Sequence, residues 1–331
     1  MTTDARQAFS ADVLKQDEQF EINKIAQRLR EILSKELHRR GLVVAISGGI
    51  DSAVCAALCV KAIGAKKVFG LLLPEKDSSS KSASRGKLLA EHLGIEYELH
   101  DIAPTLEAIG CYHWRDEAIR TVFPDYDGTW PNKIVISGGL AGKINHFNLV
   151  VERPDGQVVE NRLGLKEYLQ IVAATNFKQR IRKTVEYFHA DRLNYAVVGT
   201  PNRLEYDQGF FVKNGDGSAD VKPIAHLYKT QVYALAGYMN LPKEIRDAQP
   251  STDTYSMAQG QDEFYFALPY DKMDIALWAY NHNVSANDLA QCLEIDSDFA
   301  LAIYKDITNK RKTTQYLHAK PILIEPIEGI C

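Results

Sequence analysis

Apolar residues in the first hundred positions follow two periods, one typical of helices and one of buried strands. Helical spacing runs over residues 21–40, and Gly41 ends it. Three short apolar runs have the length of strands buried on both faces: Leu42–Ile46, Val68–Leu73 and Ile95–Leu99. Helical patterns over residues 51–63 and 81–93 separate these runs. Strands that alternate with helices predict an α/β fold with a parallel twisted sheet flanked by helices.

The pattern loosens between residues 111 and 165, where prolines and glycines interrupt it. Within this stretch, Arg153–Gln157 (RPDGQ) separates the apolar runs Leu149–Val151 and Val158–Val159, which predicts a hairpin turn. We interpret about residues 120–165 as an insertion on the α/β core.

Regular periodicity returns after the insertion. The spacing predicts a long helix over residues 165–190, a strand at Tyr195–Val198, a loop to Asp220 and a helix at Tyr228–Met239. A last helix is predicted over Ser285–Tyr304, with Ser285 as its N-cap. We expect a single domain over residues 1–331, with a helical C-terminal segment from about residue 285.

Composition excludes several classes of protein. The 331 residues include 39 basic and 43 acidic side chains, and a net charge of −4 argues against a nucleic-acid partner. Five cysteines without a CxxC pair indicate a reducing compartment. The most apolar stretch, Ala53–Ala65, is interrupted by Lys61 and is too short to span a bilayer. The N-terminus lacks the apolar core of a secretory signal. These features predict a cytoplasmic protein without a membrane partner.

The chemistry is concentrated where the first strand meets the next helix, in Ser47–Ser52 (SGGIDS). Two glycines let the backbone approach a ligand closely, and the amides of a helix N-terminus form an anion site. The hydroxyl groups of Ser47 and Ser52 add donors. A carboxylate at Asp51 would repel phosphate unless a cation such as Mg²⁺ lies between them. The structural alternative is a serine-rich turn with an aspartate cap.

The loop is neither a Walker sequence nor a dinucleotide GxGxxG. SGGxDS after a buried strand resembles the pyrophosphate loop of the N-type ATP pyrophosphatases. Those enzymes cleave ATP between the α and β phosphates and adenylate an oxygen of the substrate. The resemblance implies a Rossmann-like fold of the adenine nucleotide alpha hydrolase type.

Further motifs resemble the NAD synthetase family in order and spacing. They are GTPNRLE at 199–205, GFFVKNGDG at 209–217, Lys229, NFKQRIR at 176–182 and PSTD at 250–253. The resemblance covers about residues 20–100 and 165–315. It implies a ligase that adenylates the nicotinate carboxylate of deamido-NAD and transfers ammonia to give NAD, AMP and pyrophosphate.

The resemblance also implies residue roles. The ATP site would comprise Ala45, Ile46, Ser47, Gly48, Gly49, Ile50, Asp51, Ser52, Thr200, Lys229 and Ser251. Asp51 and Glu205 would bind Mg²⁺ and would act with Lys229 in catalysis. The deamido-NAD site would comprise Asn176, Arg180, Tyr187, Lys213, Asp220, Asn309 and Lys310. In the family this second site lies at a dimer interface, so a homodimer is implied.

The chain departs from the family pattern in three places, one of which is Leu204 and Gln208 in the metal loop. Asn309-Lys310-Arg311 stands where the family carries His-Lys-Arg, and the stretch over residues 105–165 is long for an ammonia-dependent enzyme. These departures leave open an amide ligase of the same fold that acts on another carboxylate. A tRNA-modifying enzyme would need catalytic thiols and a basic surface, and an ATP-binding sensor would lack a metal ligand or the lysine.

The length of the chain leads to an expectation about the nitrogen source. A fused glutaminase needs a further domain with a nucleophilic cysteine, for which we see no room. Cys111 lies near His113, but no third group completes a triad, so we interpret it as structural. Free ammonia, or ammonia delivered by a separate protein, is the expected donor.

Overall fold

The computed structural model describes residues 9–137, 146–249, 255–257 and 268–329. Within these ranges the helices are α1 (Glu18–Glu31), α2 (Ile50–Ile63), α3 (Ser80–Leu93), α4 (Ala103–Ala108), α5 (Cys111–Val122), α6 (Leu165–Leu193), α7 (Arg203–Gln208), α8 (Lys229–Tyr238), α9 (Lys243–Arg246), α10 (Tyr270–Asn281), α11 (Ala286–Leu293) and α12 (Ser297–His318). The strands are β1 (Leu42–Ala45), β2 (Val68–Leu72), β3 (Glu96–Leu99), β4 (Asn132–Ser137), β5 (His146–Glu152), β6 (Val158–Arg162) and β7 (Ala196–Val198).

The core of the fold is a parallel sheet with the strand order β3-β2-β1-β7. Leu42, Val43 and Val44 of β1 are fully buried because helices cover both faces of this central strand. The predicted parallel α/β sheet flanked by helices is therefore confirmed. Its arrangement brings the carboxyl ends of β1, β2 and β7 to one edge, where ligands bind in open α/β sheets.

The first helix ends earlier than predicted. α1 stops at Glu31, and residues 32–37 continue as a π-helical turn. His38 then takes a left-handed conformation with φ of 51°, which ends the helical path before Gly41. By contrast, α3 ends as predicted on Gly94, whose φ is +63°.

A second, antiparallel sheet with the order β4-β5-β6 occupies most of the predicted insertion. The hairpin predicted at Arg153–Gln157 is confirmed, and its turn is closed by the Arg153 amide donating to the Gln157 carbonyl over 2.9 Å. The apolar face of this additional sheet packs with α5 and with the N-terminal half of α6 through Leu149, Leu163 and Ile171. Sequence analysis did not predict β4, α4 or α5.

The predicted single helix over Ser285–Tyr304 is wrong. Glu294 takes a left-handed conformation with φ of 55°, so α11 ends there and α12 begins after Asp296. Each helix has its own N-cap: the Ser285 side chain accepts from the Asp288 amide, and the Asp296 side chain accepts from the Asp298 amide. Together with α10, the two helices enclose a separate apolar core. Within the described ranges, no helix is both long and apolar enough to cross a bilayer.

Candidate active site

The phosphate-loop motif forms a compact turn between β1 and α2. The hydroxyl oxygens of Ser47 and Ser52 lie 3.1 Å apart, and the Ser52 hydroxyl donates to the Gly49 carbonyl over 3.0 Å. These bonds hold the turn closed over the start of α2. The first amides of α2 have no acceptor within the helix, so they point toward the cleft as an anion site.

Gly48 is required by the geometry of this turn. Its φ is +79°, and a Cβ atom at this position would lie 2.4 Å from the carbonyl oxygen of Ser82. Both the backbone conformation and the approach of α3 therefore exclude other side chains.

Three charged side chains converge beside the loop from three helices. The Lys229 ammonium, 1% exposed, is bonded to the Asp51 carboxylate. The Asn202 side-chain amide donates to Asp51 Oδ1 over 3.2 Å, and the Asn202 backbone amide donates to Glu205 Oε2 over 3.1 Å. The predicted catalytic residues Asp51, Glu205 and Lys229 therefore form one cluster.

The charges in this cluster alter one another's protonation. Burial and the neighbouring Asp51 carboxylate raise the pKa of Glu205 to about 8. Burial lowers the pKa of Lys229, but the carboxylates of Asp51 and Glu205 outweigh it, and the net shift is upward. The lysine therefore carries a positive charge at neutral pH.

The donor set fits a divalent cation. Asp51 and Glu205 are two carboxylates close enough to repel each other, and a cation between them would relieve the repulsion. Magnesium is usually held by one or two carboxylates together with substrate phosphates, not by a cage of protein ligands alone. The described part of the chain contains no cluster of three or more His, Cys, Asp or Glu side chains that could hold a metal ion.

The backbone of α8 fixes the position of Lys229. Asp274 of α10, fully buried, accepts from the Lys229 amide over 3.2 Å and from the Thr230 amide and hydroxyl over 2.7 and 2.8 Å. One carboxylate therefore accepts from two backbone amides at the start of α8 that have no acceptor within the helix. Sequence analysis did not identify Asp274 because it lies 45 positions from Lys229.

The cluster opens into a cleft of about 530 Å³ at the carboxyl edge of the parallel sheet. The predicted residues that line it are Ala45, Ile46, Ser47, Gly49, Ile50, Asp51, Ser52, Asn176, Thr200, Glu205 and Lys229. Gly48 lies within the same loop. The structure therefore brings most of the predicted ATP site together around one cleft.

Four of the residues predicted to bind deamido-NAD form a separate group beside the cleft. The Arg180 guanidinium donates to the Lys213 carbonyl over 3.3 Å, and the Lys213 ammonium donates to the Tyr316 carbonyl of α12 over 2.7 Å. The Tyr187 hydroxyl donates to Asp220 Oδ1 over 3.2 Å. Arg180 and Tyr187 lie on α6, and their partners Lys213 and Asp220 lie in the segment between α7 and α8.

The remaining predicted residues lie elsewhere. Asn309 and Lys310 are on α12, where Lys310 pairs with Asp306 at 2.7 Å. Their neighbour Arg311 binds Asp207 through two bonds of 2.6 and 2.7 Å, which ties α12 to α7. Ser251, with the rest of the 250–253 motif, lies outside the described residues.

Several cleft residues on α6 were not identified from the sequence. The Lys183 ammonium and the Glu186 carboxylate form a buried pair at 2.7 Å, and both side chains face the cleft. Gln179 and Arg182 line the same wall, and Arg182 donates to the Leu73 carbonyl over 3.1 Å. Their spacing places these polar residues along one side of α6, which is the signal that the sequence offered. Such a charged helix face is more often exposed to solvent, so the pattern alone does not indicate a binding site.

Cys111 occupies a buried position consistent with a structural role. Its thiol donates to the Ala174 carbonyl over 3.2 Å. Burial raises the pKa of this thiol to about 11, which keeps it protonated and unreactive at neutral pH.

Comparisons with solved structures agree with the fold. The chain superimposes on NMN synthetase from Francisella tularensis with a TM-score of 0.64 and 22% identity, covering 93% of this chain and 99% of that one. It superimposes on the NH3-dependent NAD synthetase from Campylobacter jejuni with a TM-score of 0.61 and 23% identity, covering 94% and 100%.

Sequence comparisons are more specific. A protein named NH(3)-dependent NAD(+) synthetase from Rhizobium meliloti is 54% identical over 326 residues, covering 98% of this chain and 97% of the relative. A protein of the same name from Thermotoga maritima is 38% identical over 256 residues, covering 77% and 85%. The family model described as NAD synthase matches residues 21–122 and 150–320. The chain therefore belongs to the NAD synthase family.

Proposed function

We propose that this protein is an ammonia-dependent NAD synthetase, an ATP-dependent ligase that converts the nicotinate carboxylate of deamido-NAD into the amide of NAD. The observation that carries the proposal is the cluster of Asp51, Glu205 and Lys229 beside a phosphate loop in a member of this family. Relatives that are 54% identical over nearly the whole chain carry the name of this activity.

Binding of ATP begins at the loop. The amides at the start of α2 are available to the triphosphate, the hydroxyls of Ser47 and Ser52 can turn toward it from their bonds within the loop, and Thr200 lines the same cleft. Positioning of this kind supplies much of the rate in phosphoryl chemistry because the reacting atoms are held in line.

Lys229 supplies positive charge where negative charge builds up. A carboxylate oxygen of the nicotinate attacks the α-phosphorus of ATP, and the bond from that phosphorus to the bridging oxygen of pyrophosphate breaks. The ammonium of Lys229 faces this region and offsets the charge on the departing phosphate oxygens. Asp51 and Glu205 would hold Mg²⁺, which neutralises phosphate charge and assists the departure of pyrophosphate.

The second half-reaction forms the amide. The nitrogen of ammonia attacks the carbonyl carbon of the nicotinyl adenylate, AMP leaves with the bonding electrons, and the nitrogen loses a proton. The buried apolar side chains that line the cleft, such as Leu71 and Leu72, limit competing attack by water.

The acceptor binds beside the cleft in this proposal. Arg180 and Lys213 offer cationic groups to the dinucleotide, and Tyr187 with Asp220 offers hydrogen-bonding groups. The adjacency of these residues to Asn176, which lines the cleft, supports a path from the acceptor site to the α-phosphate of ATP.

A homodimer is part of the proposal. Phe188 of α6 stands next to Tyr187 and is 62% exposed, so its ring is accessible to a second copy of the chain. Light scattering at micromolar concentration tests it, and Phe188→Glu should lower the measured mass toward that of one chain.

A cytoplasmic location is also proposed, and the free thiols at Cys55, Cys59, Cys111 and Cys292 support a reducing environment.

The direct test combines product analysis with choice of acceptor. The protein is mixed with Mg-ATP, ammonium and either deamido-NAD or nicotinate mononucleotide, and pyrophosphate, AMP and the amide product are quantified. Equal yields of NAD, AMP and pyrophosphate from deamido-NAD support the proposal. Amidation of the mononucleotide alone would assign the enzyme to another carboxylate, and glutamine in place of ammonium tests the nitrogen source.

A further inference from the structure

The additional sheet supplies one wall of the active-site cleft. This apolar wall consists of Ile136 from β4, Phe147 from β5, Tyr168 and Val172 from α6, and Tyr255. It belongs to the same cleft as the phosphate loop, so a ligand bound there contacts both. Ligand pockets are lined mainly by apolar and aromatic side chains, with a few polar groups that fix the orientation of the ligand.

An aromatic stack forms the centre of the apolar wall. The rings of Phe147 and Tyr168 have centroids 3.8 Å apart and planes within 17° of parallel. Both side chains are only partly buried and retain surface toward the cleft. A third ring that enters from the cleft can extend this stack or meet its edge, and both arrangements are favourable for aromatic groups.

Two hydrogen bonds join the strand that begins the apolar wall to a distant part of the chain. The Asn132 amide at the start of β4 donates to the Ser256 hydroxyl over 2.8 Å, and the Met257 amide donates to the Asn132 carbonyl over 3.1 Å. These bonds place Tyr255 in the core that the additional sheet forms.

The position of the apolar wall along α6 fits the dimensions of a nucleotide. Arg182 lies level with the end of β2, since it bonds to the Leu73 carbonyl. Val172 is about 15 Å from Arg182 along the helix axis at the usual rise per residue. A nucleotide with its phosphates on the loop can therefore reach the apolar wall with its base, and Asn176 lies between Val172 and Arg182 along α6.

Part of the apolar wall comes from a segment that the family model does not match. The match to the family model is interrupted at residues 123–149, which include β4 and the first half of β5. Ile136 and Phe147 both come from this interval. The general architecture of the family therefore does not account for these two cleft residues.

We propose that the stacked rings of Phe147 and Tyr168 bind the planar heteroaromatic ring of a nucleotide in the active-site cleft and so determine its orientation. This inference rests on the proposed function, in which the ring belongs either to ATP or to the dinucleotide acceptor. Phe147 acts as a specificity-determining residue, and its effect is on binding of the nucleotide and not on the chemical step.

Three variants of the full-length protein test the inference. Phe147→Leu removes the ring and keeps apolar volume, whereas Phe147→Tyr keeps the ring. Phe123→Leu is the matched control because Phe123 belongs to the same apolar core, is 5% exposed and does not line the cleft. Dissociation constants are measured by calorimetry with a non-hydrolysable ATP analogue and, separately, with deamido-NAD, and thermal unfolding checks the fold.

We expect Phe147→Leu to weaken binding of one of the two nucleotides by about fivefold to tenfold, with Phe147→Tyr near wild type and Phe123→Leu unchanged. The nucleotide that is affected identifies the source of the ring. Unchanged binding of both nucleotides, or an equal loss in Phe123→Leu, would overturn the inference. These measurements need no NAD formation, so failure of the proposed reaction is detected independently.

Discussion

The ammonium of Lys229 is bonded to the carboxylate of Asp51 although 178 positions separate the two residues in the chain. Asp51 lies in the first turn of α2, and Lys229 begins α8. The contact therefore depends on the packing of these two helices, and it brings the proposed metal ligand and the proposed phosphate-binding cation to one point.

Asp51→Asn tests the metal ligand. We expect the variant to lose at least about a hundredfold in turnover because an amide is a poor ligand for Mg²⁺. The amide oxygen accepts from only one of Asn202 and Lys229, and the buried Lys229 ammonium loses part of its compensating charge, so we expect a lower thermal midpoint as well. Pyrophosphate release and the thermal midpoint measure the two effects. Normal pyrophosphate release would remove Asp51 from the metal site.

Glu205→Gln tests the second carboxylate. The glutamine retains the acceptor that caps α7 through the Asn202 amide, so stability should change little. One anionic ligand is lost, and we expect the Mg²⁺ concentration for half-maximal activity to rise about tenfold. A magnesium titration at fixed ATP measures this shift. A titration curve that matches the wild type would show that Glu205 does not bind the cation.

Lys229→Ala tests the cation that faces the phosphates. We expect the single-turnover rate of adenylation to fall by about a hundredfold to a thousandfold, since a preorganised charge is removed from a buried site. Lys243→Ala is the control because that lysine pairs with Asp247 on the surface, with 79% of its side chain exposed. An adenylation rate equal to that of the control would contradict the assigned role.

Arg180→Ala tests the proposed acceptor site. Arg180 is exposed and lies beside the cleft, so its removal should raise KM for deamido-NAD about tenfold and leave KM for ATP unchanged. Steady-state kinetics with each substrate varied in turn distinguish the two constants. Equal changes in the KM for deamido-NAD and the KM for ATP would place Arg180 outside the acceptor site.

Asp77→Asn tests a buried ion-pair network that joins α5 and α6. Asp77 Oδ2 lies 2.6 Å from the Lys178 ammonium and 2.7 Å from the Arg115 guanidinium, and both cations are buried. Loss of the charge leaves the two cations partly uncompensated, and we expect the free energy of unfolding to fall by about 3 kcal/mol at pH 7. Urea unfolding measures it, with Asp247→Asn at the exposed pair as the control.

The loss of stability in Asp77→Asn is expected to depend on pH. Burial raises the pKa of Asp77, but Lys178 and Arg115 outweigh it and hold that pKa below its ordinary value of 3.8. The carboxylate therefore stabilises the fold above the unfolded-state pKa, and the contribution is lost as the pH falls through the native pKa. The difference between wild type and Asp77→Asn should shrink below about pH 4. A constant difference would contradict the ion-pair interpretation.

Local pattern was sufficient to predict the parallel sheet and the phosphate loop. Continuous apolar runs and the consecutive residues Ser47–Ser52 carry this information within a few positions, since strand burial and turn geometry are local properties. The order of the motifs also indicated that Asp51, Glu205 and Lys229 act together, but only through resemblance to a family.

Tertiary structure alone decided the rest of the cleft. The support of Lys229 by Asp274 and the apolar wall from the additional sheet depend on contacts between distant segments, whereas Lys183 and Glu186 pair within α6 and packing decides that they face the cleft. A single charged or aromatic position does not reveal which partner it meets, because burial is set by the packing of other elements. For this protein, the sequence by itself determined the sheet and its anion site, whereas helix and sheet packing determined what surrounds the substrates.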